Sequence, residues 1–132
     1  MLARVSDDAE LPVYDLVGGE RIAAMVAAFY QRVPADPILG PMYPRSDLPM
    51  AEQRLRSFLT YRLGGPADYL RERGHPRLRM RHASFQIDLA ARDRWMLLMR
   101  AAMVEVQMPA EIQAYLEGFL GDIATFLKNR SD

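Results

Sequence analysis

Both histidines of this 132-residue chain lie in one short segment, which reads RGHPRLRMRH over residues 73–82. A residue that precedes proline is pushed toward extended backbone, so His75, directly before Pro76, is expected in a connector or just outside a helix. Pro76 suits the first turn of a short helix that runs to about Phe85. His82 then lies two turns inside that helix, and it is the better candidate for a ligand-binding histidine.

The surroundings of His82 combine apolar side chains with guanidinium groups. Such a surface suits a flat apolar ligand that carries carboxylates, and haem is such a ligand. Imidazole is a normal axial ligand of haem iron, and arginine pairs well with carboxylates. An ordinary amphipathic segment with a solvated basic face explains the same residues about equally well. The apolar side chains around His82 are Leu78, Met80, Phe85 and Ile87, and the guanidinium groups are those of Arg77, Arg79 and Arg81.

Composition limits the classes of protein to which the chain can belong. Half of the residues are apolar and 26% are charged, which is typical of one globular domain. The 17 basic residues balance the 17 acidic ones, so nothing indicates a nucleic-acid or membrane partner. There is no cysteine, which excludes disulfides, iron–sulfur clusters and thiol nucleophiles. No stretch resembles a signal peptide or a membrane span, so a cytoplasmic location is expected.

Apolar residues recur at helical spacing along most of the chain, and there is no strand pattern or internal repeat. We expect a flexible N-terminal lead-in over residues 1–13 and one all-α domain over residues 14–132. Five prolines make residues 34–49 a stiff connecting stretch. The glycine pairs at 18–19 and 64–65 are interpreted as hinges between helices. Besides the short helix after Pro76, the expected helices contain residues 22–33, 51–59, 95–106 and 112–127.

Other kinds of site are poorly supported by the sequence. A non-haem metal centre needs several His, Asp or Glu ligands, and two histidines offer little for one. The glycine patterns of P-loops and dinucleotide-binding folds are absent, as is the G-x-S-x-G motif of serine hydrolases.

Several segments together match a known protein family. Over roughly residues 14–127 the chain resembles the group II truncated haemoglobins. The most specific segment is the stretch of residues 73–82, with Tyr30, Tyr43 and Trp95 at matching places. The other segments are YDLVGG at 14–19, Phe29-Tyr30, Asp36-Pro37, Met42-Tyr43-Pro44, Ala51-Glu52, Arg54-Leu55, GGP at 64–66 and Arg92-Asp93.

The resemblance implies a shortened globin fold, in which a two-over-two helical sandwich encloses haem b. It implies that His82 is the proximal ligand of the iron. On the opposite, distal side it places Tyr30 and Trp95, with Tyr43 beside them. Ala51 falls where many globins have a distal histidine.

The resemblance also suggests which residues contact the haem and its ligand. Arg54 and Arg81 fall where the family often has partners for the haem propionates. One departure lies before Gly64, where many relatives carry a Tyr-Trp pair and this chain has Tyr61-Arg62-Leu63. Further expected contacts are Arg77 and Tyr69 as weaker propionate partners, Leu78, Phe58, Tyr43 and Ile87 against the haem, and Leu55 beside the ligand.

Three functions are compatible with these residues. The first is binding of O₂, CO, NO or similar small ligands by ferrous haem, because a phenol O–H or an indole N–H can donate a hydrogen bond to O₂. The second is haem redox catalysis, such as NO dioxygenation or peroxidase-like turnover, with a reductase as partner. The third is a haem-free helical interaction domain, since the apolar stripe over residues 112–127 is wide enough for a partner helix or a homodimer.

Overall fold

The computed structural model of this protein describes residues 2–6, 9–66 and 87–128. Within these ranges the chain is helical apart from one pair of short strands and the connecting turns, so the expected all-α class is confirmed. The short helix predicted after Pro76 lies outside the described residues. The helices are α1 (Val13–Val17), α2 (Gly19–Arg32), α3 (Leu48–Arg62), α4 (Leu89–Glu105) and α5 (Ala110–Leu127).

Helix α2 is at the centre of the fold and contacts both α3 and α4. Its apolar residues are spaced by three and four, which places them on one face of the helix. The helix ends at Arg32, just before Pro34, because proline has no N–H to donate to a continuing helix. The apolar residues predicted for this face are all buried: Ile22, Met25, Val26, Phe29, Tyr30 and Val33.

Residues 33–47, here called the connector, join α2 to α3. The prolines at 34 and 41 are the second residues of two single 3₁₀ turns, Val33–Ala35 and Gly40–Met42. A third turn, Arg45–Asp47, leads directly into α3. The stretch predicted to have little regular structure therefore consists largely of short hydrogen-bonded turns.

Helices α4 and α5 pack against each other. Helix α4 begins after Asp88, whose side chain accepts a hydrogen bond of 2.8 Å from the backbone N–H of Ala91. Such a cap satisfies a donor that the first helical turn leaves unpaired. In α5, only part of the predicted apolar stripe is buried, and Phe126 is 55% exposed. The buried residues of the two stripes are Met99, Ala102 and Met103 in α4, and Ile112, Leu116 and Leu120 in α5.

The two glycine pairs allow close packing around Tyr14. A Cβ on Gly65 would lie 2.7 Å from the Tyr14 ring, and one on Gly19 would lie 3.0 Å from its hydroxyl. The backbone N–H of Tyr14 donates to the carbonyl of Leu63 over 2.8 Å, which joins the start of the domain to the end of α3. Gly64 has a φ of +98°, which residues with a side chain rarely adopt. One glycine of each predicted hinge, Gly19 and Gly65, is thus needed for close packing against Tyr14.

The sequence shows no strand pattern, but the structure has one pair of short strands at the N-terminus. Strands β1 (Leu2–Ser6) and β2 (Ala9–Pro12) pair antiparallel, with Leu2 opposite Pro12 and Ala3 opposite Leu11. Strands this short give hardly any alternating pattern, and a two-stranded sheet is marginally stable in isolation. The flexibility expected for residues 1–13 stays a prediction. Among the residues described, no helix has the length and apolar character needed to cross a membrane.

Candidate haem site

Four aromatic rings from three parts of the chain form one cluster. Phe29 and Tyr30 come from α2, Tyr43 from the connector and Trp95 from α4. The Phe29 ring lies 4.9 Å from that of Tyr30 and 5.2 Å from that of Trp95, between ring centroids. The rings of Tyr30 and Tyr43 meet edge to face at 5.7 Å. The structure therefore brings together the three residues that the sequence assigned to the distal side.

Hydrogen bonds join the polar ends of this cluster at Tyr43. Its phenol oxygen accepts one bond from the indole N–H of Trp95 and another from the hydroxyl of Tyr30. A phenol oxygen has two lone pairs, so its remaining capacity is to donate its own O–H. The two predicted ligand donors, Tyr30 and Trp95, thus both donate to Tyr43 in this structure.

Both phenols of the cluster remain protonated at neutral pH. Burial is the largest effect on Tyr30 and, together with the neighbouring Tyr43, raises its pKa far above the ordinary value. Burial also raises the pKa of Tyr43, although the bonds that it accepts from Trp95 and Tyr30 act in the opposite direction. Each phenol is therefore available as a hydrogen-bond donor.

Helix α3 presents the residues predicted to contact haem and ligand on one side. Ala51 is 5% exposed and Phe58 is 6% exposed, while Leu55 between them is half-buried. Arg54 is exposed, but it lies near enough to the cluster for its charge to lower the pKa of Tyr30 and of Tyr43. Arg54 thus provides a cation at the rim beside an apolar interior.

An ion pair with a buried carboxylate joins the connector to α4, and no sequence pattern predicted it. The side chain of Asp36, in the connector, is 1% exposed, and that of Arg94, on α4, is 36% exposed. One Asp36 oxygen, Oδ2, accepts from Nε of Arg94 at 2.8 Å and from its Nη2. The other, Oδ1, accepts from the backbone N–H of Ile38 at 2.9 Å and of Leu39 at 2.8 Å.

The ionised form of Asp36 is stabilised by these four bonds. Burial by itself opposes ionisation, but the bonds from Arg94 and from the backbone outweigh it and hold the pKa of Asp36 below its ordinary value. The Asp36-Pro37 motif appeared in the sequence without a role, and no pattern pointed to a partner 58 residues away.

One further predicted haem contact lies among the described residues. Ile87 is half-buried and lies next to Asp88, the capping residue of α4. The remaining residues lie outside the described part of the chain, and their roles stay predictions: His82, Arg81, Arg77, Leu78 and Tyr69.

The described residues fit one half of a haem site. Ala51 and Phe58 place apolar side chains on one side of α3, and apolar side chains of this kind line most cofactor sites. The protonated Tyr43 offers a donor for a small polar ligand, and Arg54 offers a rim cation for a carboxylate. The chemistry of these groups therefore suits haem with a small ligand on this side.

Comparison with known proteins agrees with this chemistry. The sequence model of the bacterial-like globin family matches residues 12–129. The group 2 truncated hemoglobin YjbI of Bacillus subtilis is 39% identical over 119 residues, which are 90% of this chain and 89% of that protein.

Two solved structures have the same fold. A thermostable hemoglobin from the actinobacterium Thermobifida fusca superimposes with a TM-score of 0.87 at 43% identity, over 92% of this chain and 100% of that one. A truncated oxygen-avid haemoglobin from Bacillus subtilis gives 0.85 at 39% identity, over 90% and 100%. The predicted two-over-two sandwich is confirmed, and the chain belongs to the bacterial-like globins as a member of the group II truncated haemoglobin family.

Proposed function

We propose that this protein binds O₂, and also CO and NO, at ferrous haem b whose proximal ligand is His82. The globin family implies a haem and small gaseous ligands. A solved relative of similar sequence is described as oxygen-avid, which supports O₂ as the first ligand to test. Haem supplies the iron at which such a ligand is held, and the protein supplies the pocket and its hydrogen bonds.

The observation that carries this proposal is the network centred on Tyr43. Its oxygen accepts from Trp95 and from Tyr30, and its own O–H is the donor left for a ligand. A hydroxyl that accepts hydrogen bonds is polarised by them and becomes a stronger donor. Tyr30 and Trp95 then act on the ligand largely through Tyr43, by orienting and polarising its hydroxyl.

The residues around this donor suit the haem and the entry of its ligand. Ala51, Leu55 and Phe58 contact the porphyrin or the ligand from α3, and the small side chain of Ala51 leaves room for a diatomic molecule. Ile87 and Leu78 add apolar contacts. The propionates pair with Arg54 and Arg81, and more weakly with Arg77 and Tyr69.

Ligand release from the purified haem-loaded protein tests the proposal. We expect Tyr43→Phe to release O₂ about tenfold faster in stopped-flow measurements, since one hydrogen bond is worth about 1–1.5 kcal/mol. Tyr115→Phe is the matched control, because that phenol lies on α5, where its ring stacks on Phe119. His82→Ala should lose the Soret band of ligated haem.

Two results would contradict the proposal. An O₂ release rate that Tyr43→Phe leaves unchanged would remove Tyr43 from the ligand site. An unchanged Soret band in His82→Ala would remove the proximal assignment. The redox alternative with its reductase, the homodimer and the cytoplasmic location stay predictions from the sequence.

A further inference from the structure

We propose that Asp36 and Arg94 are a positioning pair, which fixes the hydrogen bond from Trp95 to Tyr43 by holding the connector against α4. The pair does not touch the ligand site itself. Its effect on ligand release rests on the function proposed above, but its effect on the Trp95 indole does not.

Asp36 joins two elements through its two carboxylate oxygens. Oδ1 accepts from the backbone N–H groups of Ile38 and Leu39, so it shapes the turn of the connector in which it lies. Oδ2 accepts from two nitrogens of the Arg94 guanidinium, which belongs to α4. Because both nitrogens belong to one planar guanidinium and converge on a single oxygen, they limit the orientation of the Arg94 side chain as well as its distance from Asp36.

A continuous series of backbone hydrogen bonds leads from Asp36 to Tyr43. Gly40 donates to the carbonyl of Asp36 over 2.9 Å, and Met42 donates to that of Leu39 over 3.0 Å. Tyr43 in turn donates to the carbonyl of Gly40 over 3.2 Å. The backbone that carries the Tyr43 phenol is therefore built directly on the turn that Asp36 holds.

On the α4 side of the ion pair, Arg94 lies directly beside Trp95. Arg94 and Trp95 are consecutive residues of α4, so a guanidinium held by Asp36 also limits how far this part of α4 can move from the connector. The connector and α4 are joined twice, by the buried ion pair and by the bond from the indole to the Tyr43 oxygen. Loss of the first is expected to loosen the second.

This ion pair differs from another that α4 makes. Arg100 pairs with Glu117 of α5, but those side chains are 46% and 37% exposed, so water competes for both charges. The carboxylate of Asp36 is 1% exposed, and removal of its partner leaves a buried charge without compensation. Only the buried pair is therefore expected to hold a neighbouring contact in place.

The only tryptophan of the chain provides the test, because its indole N–H gives a single ¹H–¹⁵N signal. Asp36→Asn keeps an oxygen for Ile38 and Leu39 but places an amide opposite Arg94. In the diamagnetic ferrous CO complex we expect the indole signal to shift and its hydrogen exchange to become about fivefold to tenfold faster. The C–O stretching frequency should rise as the donor from Tyr43 weakens.

Matched variants separate positioning from simple stabilisation. Arg94→Lys keeps the charge but has one donor group in place of two, so the exchange rate of its indole N–H should lie between those of the wild type and Asp36→Asn. If Asp36→Asn does not fold, Arg94→Lys provides the test. Arg100→Gln, on the same helix, should change neither signal. Unchanged indole exchange in Asp36→Asn and Arg94→Lys, with a lowered thermal midpoint alone, would overturn the proposal.

Failure of the proposed function gives a different pattern. If the purified protein takes up no haem, the C–O stretch cannot be recorded, but the indole exchange of the same variants still decides whether the pair positions Trp95. If haem binds and the indole responds while the C–O stretch does not, the pair does not act on the ligand, and that part of the proposal is overturned.

Discussion

Helices α2 and α5 have the two clearest apolar patterns in the sequence, yet the structure buries them to different extents. All six residues predicted for the inner face of α2 are buried, whereas only three of the eight predicted for the stripe of α5 are buried. Those eight are Ile112, Tyr115, Leu116, Phe119, Leu120, Ile123, Phe126 and Leu127. The reason is position: α2 lies between α3 and α4, while among the elements that the structure describes the main contact of α5 is with α4. Periodicity thus shows which side of a helix is apolar, but not how much neighbouring structure covers it.

Arg62, at the end of α3, covers part of the apolar stripe of α5. The guanidinium of Arg62 lies 5.4 Å from the ring centroid of Phe119, on α5, and 5.7 Å from that of Phe58, on α3. A planar cation can stack on aromatic rings and still contact water, so Arg62 suits a boundary between core and solvent.

The largest difference between the two helices should appear on truncation of their phenylalanines. Phe29 is fully buried between Tyr30 and Trp95, and Phe29→Ala should lower the free energy of unfolding by about 3–5 kcal/mol. Phe126 is 55% exposed, and Phe126→Ala should change it by about 0.5 kcal/mol or less. Urea unfolding of both haem-loaded variants measures this, and similar losses would show that the two faces are covered alike.

Much of the fold could be predicted because it depends on local spacing. Pro34 predicts where α2 ends, and Pro109 predicts where α5 begins. The steps of three and four along α2 predict the buried face on which Phe29 and Tyr30 lie. The strand pair before α1 could not be predicted, since its few residues form no alternating pattern.

The site could be predicted only in part, because its decisive contacts are not local. The sequence named Tyr30, Tyr43 and Trp95, but it could not show that two of them donate to the third, which depends on side-chain orientation. It gave no reason to join Asp36 to Arg94, because residues 58 positions apart share no periodicity.

Two of the ion pairs of α4, Arg94 with Asp36 and Arg100 with Glu117, extend the comparison to electrostatics. At neutral pH, Asp36→Asn should lower the free energy of unfolding by about 2–3 kcal/mol, because it removes charged hydrogen bonds in the interior. Glu117→Gln, on the α5 side, should cost less than about 1 kcal/mol, because that pair is exposed.

The pH dependence identifies the charge of Asp36 as the cause. Its pKa is lower in the folded than in the unfolded protein, so its stabilisation is complete above the unfolded value of about 4 and is lost as the pH falls through the folded value. The difference between wild type and Asp36→Asn in urea unfolding should therefore shrink below about pH 4. A difference that stays constant down to about pH 2 would mean that the amide disturbs packing and that charge is not the cause.

Substitutions at two glycines are expected to change stability by small amounts and in opposite directions. A Cβ on Gly65 would lie 2.7 Å from the Tyr14 ring and 2.9 Å from the Thr60 methyl group, so Gly65→Ala should cost about 1–2 kcal/mol as these side chains shift. A Cβ on Gly118, within α5, would meet no atom within 4 Å, and Gly118→Ala should stabilise the protein by about 0.5–1 kcal/mol because alanine favours the helix. Thermal unfolding of the two variants distinguishes a position that requires glycine from a position that tolerates a side chain. Destabilisation by Gly118→Ala would mean that the open face of α5 is covered in solution, as a homodimer would cover it.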